Sequence, residues 1–145
     1  MLRISRLDLA EAHMLIEAAA AKAEEIAVPM CIAVADESGN LIAFTRMDGA
    51  KISSIAIAID KAFTAAAARG TTERYNGLCV PGQPTFGIHN TNGGRFCIIG
   101  GGVPIIVEGT VIGAVGLSAG TAEQDVVCAE AAAAHFYEQK GVRQP

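Results

Sequence analysis

The sequence predicts an α+β domain in which helices cover both faces of one antiparallel sheet. Three observations carry this. Segments of helical and strand period alternate as helix, hairpin, helix, strand meander, helix. Short turns join the strand candidates, so neighbours along the chain run antiparallel. The strands are apolar at nearly every position, which requires cover on both faces. A length of 145 residues corresponds to one domain, residues 1–145.

The first helix starts at Ser5 or Asp8 and runs through LDLAEAHMLIEAAAAKAEEI, residues 7–26. Leu9, Ala12, Ile16, Ala19 and Ala23 share one face; His13, Glu17 and Glu24 share another. Pro29 ends it. MCIAVAD (30–36) and LIAFTRM (41–47) are strands paired through the turn ESGN, where Gly39 is free to take positive φ. Residues 52–70 form the second helix, stopped by Gly70. Its main stripe is Ile52, Ile55, Ile59 and Phe63; Ser54, Ala58, Lys61 and Ala65 form a second face, assigned to a subunit contact or a ligand cavity. Residues 71–78 form a short helix capped by Thr71 or Thr72. CVPGQPTFGIHNTNGG (79–94) is a long irregular loop of the kind that carries function. RFCIIG, VPIIVEG and VIGAVGLSA supply three more strands, with Glu108-Gly109 turning between the last two. Thr121 and Gln124 form a capping box for a helix from Ala122 to Lys140, ended by Gly141. Its core stripe is Val126, Ala129, Ala133 and Phe136, with His135 facing away.

Composition excludes several classes. Net charge is −4 with no basic block, which argues against nucleic acid. No apolar run reaches membrane-span length and the N-terminus lacks a signal-peptide pattern, so a cytoplasmic location is expected. Cys31, Cys79, Cys97 and Cys128 show no CxxC spacing and read as buried free thiols. With 51% hydrophobic and 18% charged residues, a chain this small is expected to cover apolar surface with copies of itself.

The stretch TNGGRFCIIGGG (91–102) is the main candidate for a site. It lacks the Lys-Ser or Lys-Thr of a phosphate loop, and Gly100, Gly101 and Gly102 lie between strands, not between a strand and a helix. These glycines either permit a bulge or tight turn, or admit a flat ligand beside bare backbone. His89, in the loop beside Asn92 and Arg95, is either a solvated histidine or a group that ligates iron and moves protons. Arg46 is either half of a surface pair with Asp48 or a bidentate carboxylate holder. Lys61 is either a snorkelling or salt-bridged lysine or a cation for an acidic ligand. Glu123, in the first turn of the last helix, complements the helix dipole or serves a ligand. The GLSAG stretch at 116–120 has the form of a nucleophile elbow but lacks the parallel α/β context.

The segments AVADESGNLIAFTRMDGA (33–50), SIAIAIDKAFTAAA (54–67), GGGVPI (100–105) and GTVIGAVGLSAGTAEQD (109–125) resemble the GlcG/HbpS family, which includes the C-terminal domain of PduO proteins. Ala119 departs from the glycine common there. The resemblance covers about residues 5–140. It implies a three-layer α-β-α sandwich with an antiparallel sheet of about five strands, and homo-oligomers. Some members bind heme; others belong with glycolate, glycerol or diol catabolism.

Two functions follow as expectations. The first is an oligomeric protein binding heme or a similar tetrapyrrole, with Arg46, Lys61 or Arg95 for the propionates, His89 for the metal, and Asn92 and the glycines lining the pocket. The alternative is an enzyme or accessory protein acting on a small diol, hydroxy acid or keto metabolite, with His89 or Glu123 as acid or base and Arg46 holding a carboxylate. A third reading, an assembly protein without pocket chemistry, rests on the alanine-rich helix faces.

Overall fold

The computed structural model describes residues 1–145. Its elements are α1 (Leu9–Glu25), β1 (Cys31–Asp36), β2 (Leu41–Arg46), α2 (Ser54–Ala67), β3 (Gly102–Val107), β4 (Thr110–Ser118) and α3 (Ala122–Lys140). Short 3-10 turns punctuate the long connection between α2 and β3. The strands form one antiparallel sheet in the order β2-β1-β4-β3.

The sheet has four strands, not five. RFCIIG is a loop whose backbone is held by side chains instead of a neighbouring strand. Thr64 on α2 donates to the Arg95 carbonyl and accepts from Cys97 N–H. Thr72 donates to the Ile99 carbonyl. Those hydroxyls satisfy the polar groups that a ladder would otherwise take.

The helix ends follow local chemistry. Asp8, not Ser5, caps α1, in a reciprocal box with Glu11. Thr121 and Gln124 cap α3 the same way, and Gly141 ends it at φ 62. Glu108 and Gly109 both take positive φ, as a tight hairpin turn requires. α2 ends at Ala67, earlier than Gly70; Arg69 takes the left-handed conformation there. Residues 71–78 hold only a 3-10 turn, Thr72–Tyr75.

The two faces of the sheet differ in bulk. One face presents Ile32, Val34, Ile105, Val115 and Leu117 to α1 and α3, which add Leu15, Ile16, Cys128 and Phe136 to a single large core. The N-terminal strap joins that core through buried Leu7, whose N–H donates to the Ile112 carbonyl. The other face presents Cys31, Ala33, Ala35, Ala114 and Gly116. Against so flat a surface α2 lays its own small face: Ala58, Ala62, Ala65 and Ala66 are all essentially buried. The result is three layers, with α1 and α3 on one side and α2 alone on the other.

This reverses the expected orientation of α2. The small stripe with Lys61 faces the sheet, while Ile55, Ile59 and Phe63 are only half-buried and Ile52 is 75% exposed. An isoleucine has no room on the inner face. A Cβ built on Gly116 would overlap the Ala58 carbonyl and the Ala62 backbone.

Gly116→Ala is therefore expected to lose about 3 kcal/mol or more, because the overlap is with backbone that cannot rotate away. Gly77→Ala, at a position with open space around it, is expected to stay near neutral. Urea unfolding of the two variants checks the contrast.

Candidate functional site

The glycine run divides into two unlike halves. Gly93 and Gly94 are exposed, and a Cβ on either would meet nothing. Gly100, Gly101 and Gly102 are buried against the chain itself. A Cβ on Gly100 would lie 2.8 Å from Val126 Cγ2; one on Gly102 would lie 2.5 Å from both the Lys61 carbonyl and Thr72 Cγ2. At Gly101 (φ 123) it would lie 2.7 Å from the Leu117 carbonyl and 2.9 Å from Lys61 Nζ. No gap for a flat ligand remains beside these three residues within the chain. Their small size serves close packing, with Gly102 N–H donating to Thr72 Oγ1.

Beneath Gly101 lies a buried ion pair. Lys61 Nζ donates to Asp125 Oδ2 at 2.7 Å and to the Leu117 carbonyl at 2.8 Å, and Asp125 Oδ1 accepts from Gly120 N–H at 3.0 Å. Lys61 is 1% exposed and Asp125 3%. Burial pushes the Asp125 carboxyl up, against the opposing pull of the Lys61 hydrogen bond and charge and of the Gly120 N–H. Lys61 thus joins α2 to α3 and to the end of β4, and offers no ammonium to an outside anion. Next to this joint Ala119 is held at φ 126, a conformation that glycine adopts without strain.

The outer face of α2 has the opposite character. Ile55 and Ile59 of α2 and Phe44 of β2 each pack against the small alanine core. Arg46 stands on the same side of β2 as Phe44, two residues away, and is exposed. Its positive charge acts on the neighbouring Cys31 thiol, though burial is the larger influence and pushes that thiol up. Arg46 makes no ion pair with Asp48 or any other carboxylate. At the C-terminal half of α2 the guanidinium of Arg95 stacks 4.0 Å from the Phe63 ring centroid and bonds Asp60 at 3.1 Å. From Ile55 to Phe63 the stripe is about 12 Å long. It is an apolar strip with a guanidinium toward each end.

The remaining candidates stand apart from it. His89 lies in a 3-10 turn, Ile88–Asn90, with Nδ1 3.0 Å from Cys79 Sγ and no partner within the chain for Nε2. Asn92 is exposed and bonds its neighbour Thr91. Glu123 is exposed in the first turn of α3. No hydrogen bond or ion pair joins His89, Glu123 and Arg46 within one chain. No group of three His, Cys, Asp or Glu side chains is placed to hold a metal. A groove of about 610 Å³ runs between β3, α3 and the C-terminus, and contains none of these residues.

The Cys79–His89 contact is the feature that spacing concealed. The two residues are ten apart in an irregular loop, where no period links them. The one available signal was the length of the loop itself.

A family model described as "Haem degrading protein HbpS-like" matches residues 7–134. The 15.0 kDa protein of the dhaT-dhaS intergenic region of Citrobacter freundii is 43% identical over 136 residues, 94% of this chain and 96% of that one. The crystal structure of Klebsiella pneumoniae protein ORFY superposes with a TM-score of 0.92 at 38% identity, covering 94% of each chain. The crystal structure of a PduOC:heme complex superposes with a TM-score of 0.86 at 31% identity, covering 90% of this chain and 94% of that one. No helix is long and apolar enough to cross a membrane.

Lys61→Met leaves the Asp125 carboxylate buried without its cation and is expected to lose about 3–5 kcal/mol. The double variant Lys61→Met/Asp125→Leu removes the stranded charge and is expected to regain at least about half of that loss, as measured by urea unfolding. Ala119→Gly relieves the backbone strain and is expected to stabilise by about 1 kcal/mol in the same measurement.

Proposed function

The chain belongs to the HbpS-like family, and from that premise we propose that it is an oligomeric protein that binds heme or a similar tetrapyrrole on the outer face of α2. The observation that carries this reading is the unpaired apolar strip of Ile55, Ile59, Phe63 and Phe44 with Arg46 and Arg95 beside it. A tetrapyrrole has apolar faces and, in heme, two carboxylates on one edge. The strip fits the faces, and a planar guanidinium fits a carboxylate in bidentate geometry. The heme complex of a relative 31% identical gives the reading its chemical class.

The roles differ by residue. Phe44 and the α2 stripe exclude water from the ring. Arg46 and Arg95 neutralise propionates, Arg95 exchanging its Asp60 partner for the ligand. Bound heme would supply the redox chemistry of its iron. The strip is open on one chain, so a second copy is needed to close the site, and oligomerisation and binding belong together in this reading. Gly100, Gly101, Gly102 and Lys61 contribute indirectly, by fixing α2 against the sheet.

Heme titration of the purified protein, followed at the Soret band, tests this. The expected result is a saturable shift with a defined stoichiometry per oligomer. Arg46→Ala and Arg95→Ala are each expected to weaken binding roughly two- to five-fold, the range for a half-exposed ion pair. A spectrum equal to the sum of free heme and protein would overturn the proposal.

A further inference from the structure

The loop between α2 and β3 holds a second chemical feature, independent of tetrapyrrole binding. From Asn76 to Gly94 the only titratable side chains are those of Cys79 and His89. They meet at 3.0 Å, Sγ to Nδ1. The turn through Gly87 (φ 86) leads directly into His89. A thiol and an imidazole within hydrogen-bond reach form a nucleophile–base pair.

We propose that Cys79, paired with His89, is a nucleophilic thiol and the site at which this chain is covalently modified by small electrophiles, hydroperoxides in particular. Cys79 is 6% exposed and His89 is exposed, so the sulfur lies just under the surface, open to a small reagent and closed to a bulky one. The other three thiols lack such surroundings. Burial raises each of Cys31, Cys97 and Cys128. At Cys79 burial also acts upward, but the contact with His89 outweighs it and the thiol is lowered. No other charged group acts on it.

The step balances within the pair and the peroxide. The thiolate sulfur attacks the distal peroxide oxygen; the S–O bond forms and the O–O bond breaks. The leaving alkoxide takes the proton that His89 received from the Cys79 thiol. Sulfur is oxidised by two electrons to a sulfenic acid and the hydroperoxide is reduced to the alcohol, or to water from hydrogen peroxide. Two equivalents of an external thiol restore the cysteine, the first displacing water to form a mixed disulfide and the second releasing the external disulfide.

The test uses the native protein without heme. Limiting iodoacetamide at pH 7, followed by peptide mass mapping, is expected to label Cys79 at least ten times faster than Cys97, Cys31 or Cys128. Dilute hydrogen peroxide is expected to add one oxygen at Cys79 first, removable by dithiothreitol. His89→Gln is expected to slow Cys79 labelling at pH 7 about ten-fold and move its pH profile up toward that of an ordinary thiol. Gln83→Ala, an exposed change in the same loop, is expected to leave both unchanged. Labelling of Cys79 no faster than Cys97 in the unsubstituted protein overturns the proposal, as does a His89→Gln profile identical to the original. A variant that unfolds would expose all four thiols alike, and the comparison within the native chain still decides.

Discussion

The contact between the backbone of α2 and the flat face of the sheet is the constraint on which the other features depend. Gly116 leaves no space between β4 and the Ala58–Ala62 turn of the helix. That contact requires alanine on the helix and alanine, cysteine or glycine on the strands. It also turns the larger side chains of α2 away from the sheet, where the chain only half covers them. The apolar strip is thus a direct result of how tightly the opposite side of the helix packs.

The Lys61–Asp125 pair works within the same constraint. Once α2 is seated, the ammonium lies beneath Gly101 with one carboxylate and one carbonyl as partners. Charge burial of this kind contributes little net stability but penalises every arrangement in which the partners are separated. α2 could otherwise slide along a nearly featureless alanine surface. The pair fixes its position, and with it the placement of Phe63, Asp60 and Arg95 on the outer side.

Much of this was legible in the residues. The element order, the hairpin at Gly39, the capping box at Thr121 and the stop at Gly141 follow from local chemistry, and all are present. The fifth strand was not legible, because the loop residues Arg95 to Ile99 carry strand-like composition while their backbone partners are the hydroxyls of Thr64 and Thr72, distant in sequence. The orientation of α2 was misleading for a related reason. Periodicity ranks faces by hydrophobicity, whereas this interface selects by size. Of the candidate residues, Arg46 and Arg95 emerge on the exposed strip and Lys61 is enclosed, a distinction that depends on the reversed helix. The proximity of Cys79 to His89 arises from a turn without regular structure, which no pattern encodes.

The unequal bulk of the two sheet faces has an evolutionary consequence. Positions between α2 and the sheet admit almost no variation, since each accepts only atoms that fit the gap. The outer side of the same helix is under no such limit. Lineages can exchange its isoleucines and flanking arginines for other chemistries without disturbing the architecture beneath. One helix therefore meets two unlike demands, its inner side bound by the gap to the sheet and its outer side free of that limit.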